Sequence, residues 1–253
     1  MRIGLIGCGN IGKNLLASAE GHEFLVYDID PGRTSEFAEA FGAEAADFRG
    51  IFERADLVIE AAHPSVVPEV LREAIRSGTD VMIMSTGGII GSEDLYKKAG
   101  RKINIYLPSG AIAGTDAVMA ASRGKISSVT ITTTKPPAGL AGAPYITENN
   151  ICLDLKEKAV IFDGSVGDAI KGFPKNINVS ATLMLLSGYG DVRVRIVADP
   201  DTKSNTHEIE VVGEFGRIHT RSENVPSPDN PKTSYLAVLS AVSVLSQILK
   251  TKR

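Results

Sequence analysis

The 253-residue chain predicts an α/β protein with two domains: a doubly wound parallel sheet at the N-terminus, then an α+β domain. Two observations carry this. Near-continuous apolar runs alternate with helical stretches as far as residue 109, as in a parallel sheet covered on both faces. Beyond it the strand-like runs become β-branched or alternating, as in strands with one covered face. A third observation is a glycine-rich turn placed between the first strand and the first helix.

Taken in order, Arg2–Gly7 is an apolar strand and Asn10–Ala19 a helix. Phe24–Asp28 is the second strand, and Pro31–Phe41 is a helix with proline in its first turn, where a missing N–H costs nothing. Asp56–Ala61, Asp80–Ser85 and Ile103–Leu107 continue the strands, with helices over Pro64–Ser77 and Gly91–Lys98. After Ser109, antiparallel strands are expected at Val129–Thr134, Val192–Ala198, His207–Val212 and Arg217–Arg221, and helices at Ser165–Lys171 and Asn178–Leu186. Pro136–Pro144 is the loosest loop. Tyr235–Lys250 is interrupted by Ser240, Ser243, Ser246 and Gln247, so it reads as an amphipathic helix and not a membrane span. The expected division is 1–109, 110–234 and a C-terminal helix within 235–253 that packs back on the first domain.

Composition narrows the function. Lys plus Arg total 27 against 30 for Asp plus Glu, a net charge of −3, with no basic run; nucleic acid is not an expected partner. No Trp and only 8 Phe and 6 Tyr leave little for stacking on single strands. Cys8 and Cys152 lack metal or redox spacing, and the chain opens directly on MRIGLIG, so a reducing, cytoplasmic setting is expected and no metal.

Gly7-Cys8-Gly9-Asn10-Ile11-Gly12 reads GxGxxG between strand and helix, and Asp28 ends the second strand. That context is the Rossmann fingerprint. Gly7 permits the turn, Gly9 admits the pyrophosphate, and Gly12 lets the helix approach. The helix start at Asn10 and Ile11 offers N–H groups to phosphate, and Asp28 would accept from the adenine ribose. Arg33 keeps a 2′-phosphate open, so the cofactor is NAD or NADP. Three loops at strand ends are small enough to admit the nicotinamide half: the one holding Ala62 and His63, Ser85–Gly88 with Thr86, and Pro108–Ala111. His63 stands before Pro64 and could equally be a helix-start residue. Cys8 is expected to be a small buried side chain.

Of the remaining histidines, His22 and His219 are expected at the surface. His207 opens a strand, a rigid place to present an imidazole, although a structural histidine fits there too. Phe173-Pro174-Lys175-Asn176-Ile177-Asn178-Val179 gathers a lysine and two amides at a helix start. They suit carboxylates or a carboxamide; Asn176 or Asn178 could instead cap the helix.

GLIGCGNIG, YDIDPGR, STGGI, LPSGAIAGTDA, the KPP of Lys135–Pro137, FPKNINVSATL and NTHEIEV occur in this order over almost the whole chain. Together they resemble the L-aspartate dehydrogenase family. The resemblance implies a Rossmann domain, a catalytic and dimerisation domain, a homodimer, and NAD- or NADP-linked oxidation of L-aspartate to iminoaspartate in pyridine-nucleotide biosynthesis. The family's catalytic histidine falls on His207, its cofactor-contacting alanine on Ala111, and its asparagine on Asn176 or Asn178. Lys175 with the two asparagines would bind substrate. His63 stands where many relatives carry a small residue. Two competing readings are an enzyme for another small amino or oxo acid, of the homoserine or dihydrodipicolinate type, and a nucleotide-sensing module without catalysis.

Overall fold

The computed structural model describes residues 1–174, 177–228 and 230–251, without the side chains of Pro231 and Lys232. The chain divides into two compact units, Met1–Pro108 with Val238–Arg253, and Ser109–Ala237.

In the first unit the elements are β1 (Arg2–Ile6), α1 (Asn10–Ser18), β2 (Glu23–Tyr27), α2 (Pro31–Phe41), β3 (Glu44–Ala45), α3 (Phe48–Arg54), β4 (Leu57–Glu60), α4 (Val67–Ser77), β5 (Asp80–Ile83), α5 (Glu93–Gly100) and β6 (Ile105–Tyr106). All six strands pair in parallel in the order β3-β2-β1-β4-β5-β6. Strand order reverses between β1 and β4, so the loops leaving these two strands diverge and open a crevice at their carboxyl ends. The four residues of β4 are all buried, which explains their uninterrupted apolar character apart from Glu60.

Two elements here were not legible in the sequence. The edge strand β3 has two exposed residues, and α3 is a seven-residue helix started by Asp47, whose carboxylate accepts from the Gly50 N–H at 2.8 Å.

The second unit contains α6 (Thr115–Ala121), β7 (Ile126–Lys135), α7 (Pro144–Glu148), β8 (Ala159–Ser165), α8 (Val166–Gly172), α9 (Asn178–Ser187), β9 (Val192–Ala198), β10 (Asn205–Gly213), β11 (Gly216–Asn224), β12 (Pro226–Ser227) and β13 (Asn230–Ser234). Its five-stranded sheet runs β11-β10-β7-β9-β8. The antiparallel expectation needs one correction: β7 and β9 pair in parallel, from Val129↔Val192 to Lys135↔Ala198, because α7, β8, α8 and α9 separate them in the chain and return it to the same end. β8 escaped the sequence reading because it is an edge strand in which only Phe162 is buried. Along β10, Thr206, His207, Ile209 and Val211 are buried, and the alternation from His207 onward sets one face of the sheet against the unit's interior.

The last helix, α10 (Tyr235–Thr251), buries Val238, Ala241, Leu245 and Ile248, a single stripe at helical spacing. Ala241, Leu245 and Ile248 join one core with Ile3, Leu5, Leu15 and Leu16 of the first unit. A fully buried aliphatic side chain contributes roughly 1.5–3 kcal/mol, so this stripe anchors the helix to that unit. No helix among the described residues is long and apolar enough to cross a membrane.

Candidate active site

The first unit builds a phosphate-binding turn. Gly7 sits at φ +101°, and a Cβ there would lie 2.7 Å from the carbonyl of Ala61; only glycine lets the ends of β1 and β4 come so close. A Cβ at Gly12 would meet the Gly7 carbonyl oxygen at 2.7 Å, so α1 lies directly on the turn. At Gly9 a Cβ would meet nothing within 4 Å. The three glycines thus divide as their motif requires: two are closed by packing, and the third faces open space. Gly9 is also the N-cap of α1, with no side-chain cap hydrogen bond and no acidic residue in the first turn, which keeps the positive end of the helix available to an anion.

Asp28 follows β2 immediately. Its carboxylate accepts from the Cys8 N–H at 2.9 Å and the Asp30 N–H at 3.0 Å, tying the acid to the glycine turn. A cavity of about 500 Å³ is lined by Gly7, Asp28, Ile29, Phe48, Ala62 and His63, among others. Ile29 is 90% exposed, an apolar surface beside the acid that suits the face of a purine. These features fit a dinucleotide: open space for pyrophosphate, an acceptor for ribose, and an apolar wall for the base. Arg33 reaches Asp30 at 3.7 Å. Cys8 is buried, and burial with the Asp28 charge pushes its thiol up to about 12, so it is an inert packing residue.

Two further loops flank the crevice. The His63 Nδ1 contacts the Ser65 hydroxyl at 2.9 Å and accepts from the Ser65 N–H at 3.2 Å, capping the 3-10 turn Pro64–Val66. Thr86 is buried at the start of a second 3-10 turn, Thr86–Ile89. A Cβ on Gly88 would collide with the Pro64 carbonyl, so these two turns pack backbone to backbone.

Glu60 organises both. It is fully buried at the end of β4. One carboxylate oxygen accepts from the Ala62 N–H at 2.8 Å and the other from the Ser85 N–H at 2.9 Å. Burial pushes its carboxyl up, against those hydrogen bonds. The sequence reading passed over Glu60 as part of an apolar run; its signal is a charge inside a strand that is otherwise buried on both faces.

In the second unit the imidazole of His207 is buried and its Nδ1 lies 2.9 Å from the Thr133 hydroxyl. The two residues are direct cross-strand partners on β10 and β7. Burial, and secondarily the charge of Lys135, bring His207 down to about 3, so the ring is neutral at pH 7. In the tautomer whose Nδ1–H donates to Thr133, Nε2 carries the lone pair that a base needs. Lys135, two residues beyond Thr133, is itself pushed down to about 8 by burial.

The loop of Ala111 is stitched to β11. Ser222 Oγ and Asn224 Nδ2 donate to the Ala111 carbonyl at 2.8 and 3.1 Å, and Thr220 Oγ1 donates to Ala113 at 3.1 Å. Ser222 is also the register partner of His207, so Ala111 and His207 are held on one framework. Asn224 is buried and its Oδ1 has no partner among the described residues. Asn178 is exposed and is the first residue of α9, whose N-cap is Ile177; Asn178 is therefore not the cap. A Cβ at Gly110 would meet Val179 at 3.8 Å, which brings the Ala111 loop to the start of α9. Lys175 and Asn176 lie outside the described residues. His22 is half-buried, with Nδ1 3.4 Å from the N-terminal amine, and His219 is exposed on β11. Among the described residues no group of three or more His, Cys, Asp or Glu could hold a metal.

Residues 116–248 match the family model described as aspartate dehydrogenase, C-terminal. The L-aspartate dehydrogenase of Methanosarcina acetivorans is 43% identical, over 98% of this chain and 97% of the relative. The chain belongs to the L-aspartate dehydrogenase family. It is thereby a dehydrogenase. A second member of the family, the L-aspartate dehydrogenase of Methanocella arvoryzae, is 44% identical over 98% of this chain and 96% of its own. Residues 2–88 match the model described as NADP oxidoreductase, coenzyme F420-dependent. The crystal structure of aspartate dehydrogenase from Thermotoga maritima aligns with a TM-score of 0.74 at 27% identity, covering 100% of this chain and 97% of that one. A probable dehydrogenase from the same organism, at 17% identity and a TM-score of 0.53, shares the fold.

Proposed function

We propose that this chain oxidises L-aspartate to iminoaspartate with NAD or NADP, the imine then hydrolysing to oxaloacetate and ammonia. The observation that carries the reading is the pairing, within a member of this family, of an open glycine turn beside Asp28 with a buried neutral histidine on a sheet. When bound, the nicotinamide cofactor accepts the hydride from Cα of the substrate; the protein's own residues bind, orient and move protons.

Gly7, Gly9 and Gly12, with the start of α1 at Asn10 and Ile11, hold the pyrophosphate, and Asp28 the adenine ribose. Asp28 favours NAD, because a 2′-phosphate would meet its carboxylate. Ala62, His63 and Thr86 border the nicotinamide side, and Ala111 with Asn178 or Asn176 contacts the cofactor. His207 takes the proton that the substrate ammonium must lose before hydride departure, and activates the water that attacks the imine. Thr133 fixes the orientation of its ring. Lys175, Asn176 and Asn178 contribute donors for the substrate carboxylates.

The family resemblance supports a homodimer in the cytoplasm that feeds pyridine-nucleotide biosynthesis. The reaction is tested by following reduced nicotinamide at 340 nm with L-aspartate, homoserine and no substrate, each with NAD and with NADP. Turnover with L-aspartate alone is expected. Turnover only with homoserine, or cofactor binding without turnover, would overturn the proposal.

A further inference from the structure

Beyond Thr133 and His207 the same face of the sheet continues into a cavity. Thr133 and His207 pair directly; Lys135 and Asn205 each lie two residues further along their strands toward one end, on the same face, roughly 7 Å from the histidine rung. Lys135 and Asn205 line a cavity of about 330 Å³, together with Lys203, Phe173, Pro226 and the segment 136–144. His207 does not line it; it lies one rung away. The polar chemistry of this cavity is one-sided. Among the described residues its lining holds two lysines and an amide but no carboxylate, and the rest is glycine, alanine, proline, leucine and phenylalanine.

Such a lining attracts one class of ligand. Burial makes the charged form of Lys135 costly, and an anion offsets that cost while gaining charge-assisted hydrogen bonds from the ammonium and amide donors. Burial already weakens the hold of Lys135 on its proton, to about 8, and a carboxylate beside it restores the charged form. The segment Pro136–Pro144 leaves room for this because its side chains are small: Ala138, Gly139, Ala141, Gly142 and Ala143.

We infer that Lys135, Lys203 and Asn205 anchor a carboxylate of a short dicarboxylic substrate and so decide between a dicarboxylic and a monocarboxylic amino acid. The inference rests on the reading of the chain as an aspartate-oxidising enzyme and adds to it the pocket that makes the choice. A carboxylate seated on the lysine rung places the neighbouring carbons toward His207. It also screens the Lys135 charge, which adds to burial in holding the imidazole down, so substrate binding raises the basicity of the group that must accept a proton.

The test uses the full chain at saturating NAD, titrated calorimetrically with succinate and, separately, with butyrate. The wild-type protein is expected to bind succinate at least tenfold more tightly than butyrate. Lys135→Met should abolish that preference and raise KM for L-aspartate by tenfold or more, with KM for NAD within threefold. Lys203→Met, on an exposed loop residue whose loss leaves the fold intact, should weaken succinate severalfold in the same direction, and Lys135→Arg should retain part of the preference. Wild-type indifference between succinate and butyrate would overturn the inference, as would both lysine variants keeping wild-type succinate affinity and KM. Succinate preference lost in the variants of a protein that does not oxidise L-aspartate would uphold the pocket and sink the aspartate reading instead.

Discussion

At His207 one hydrogen bond and one environment set the chemistry. The ring is 5% exposed, held by Thr133 at 2.9 Å, and brought down to about 3 by burial first and the Lys135 charge second. A folded-state value below the unfolded value of about 6.5 means that the folded chain holds fewer protons between those two pH values. Stability is therefore full above about pH 6.5 and is lost progressively as pH falls toward 3. Between pH 7.5 and 5 this one group removes about 2 kcal/mol of unfolding free energy. In His207→Gln that contribution disappears, so urea midpoints of the variant should fall less with acidification than those of the wild type. The same variant should lose turnover by at least about 100-fold with NAD affinity within about threefold, since the phosphate and ribose contacts belong to the other unit. Equal acid sensitivity of the two proteins would mean that His207 takes up its proton over the same pH range in the folded as in the unfolded chain.

The loops that end β4 and β5 act as one element because of Glu60. Two backbone N–H groups, of Ala62 and Ser85, share its carboxylate, and neither oxygen can be replaced by a nitrogen without leaving a donor unmet. Glu60→Gln keeps the volume but turns an N–H toward an N–H, at a cost of about 1–3 kcal/mol. The turns carrying His63 and Thr86 should then loosen. The expected signature is NAD binding weakened by up to about tenfold, with a lower melting temperature, read by calorimetry and thermal unfolding. Unchanged NAD affinity would limit Glu60 to a structural role. At this scale the sequence was informative where periodicity is strong. Pro31–Phe41 and Val192–Ala198 have the bounds that their patterns predict. Short or edge elements such as β3, α3 and β8 bury too few residues to impose a pattern. The parallel pairing of β7 with β9 depends on crossover connections that no local pattern encodes, and the roles of Glu60, Ser222 and Asn224 depend on backbone groups distant in sequence. The glycine turn and Asp28 stand out because their spacing and local context coincide, whereas His207 is marked by the family resemblance, its strand-end position suiting a structural histidine as well.

For the whole molecule, the proposed reaction divides labour between two compact units: the first binds a dinucleotide, and the second carries the substrate and proton chemistry. Coenzyme choice is then a property of the first alone. Asp28→Ala removes a ribose acceptor but also the repulsion of a 2′-phosphate, so NAD should bind at least about fivefold more weakly while NADP is unchanged or tighter. Equal loss for both coenzymes would instead mean that the Asp28 bonds to Cys8 and Asp30 serve only to shape the turn. The central claim, that a hydride leaves Cα of L-aspartate for the nicotinamide, is tested most directly by supplying L-aspartate deuterated at C2 with NAD and analysing the reduced cofactor by mass spectrometry. One deuterium is expected in each molecule of reduced cofactor formed. Reduced cofactor without deuterium, or none formed at all by the folded protein, would contradict it.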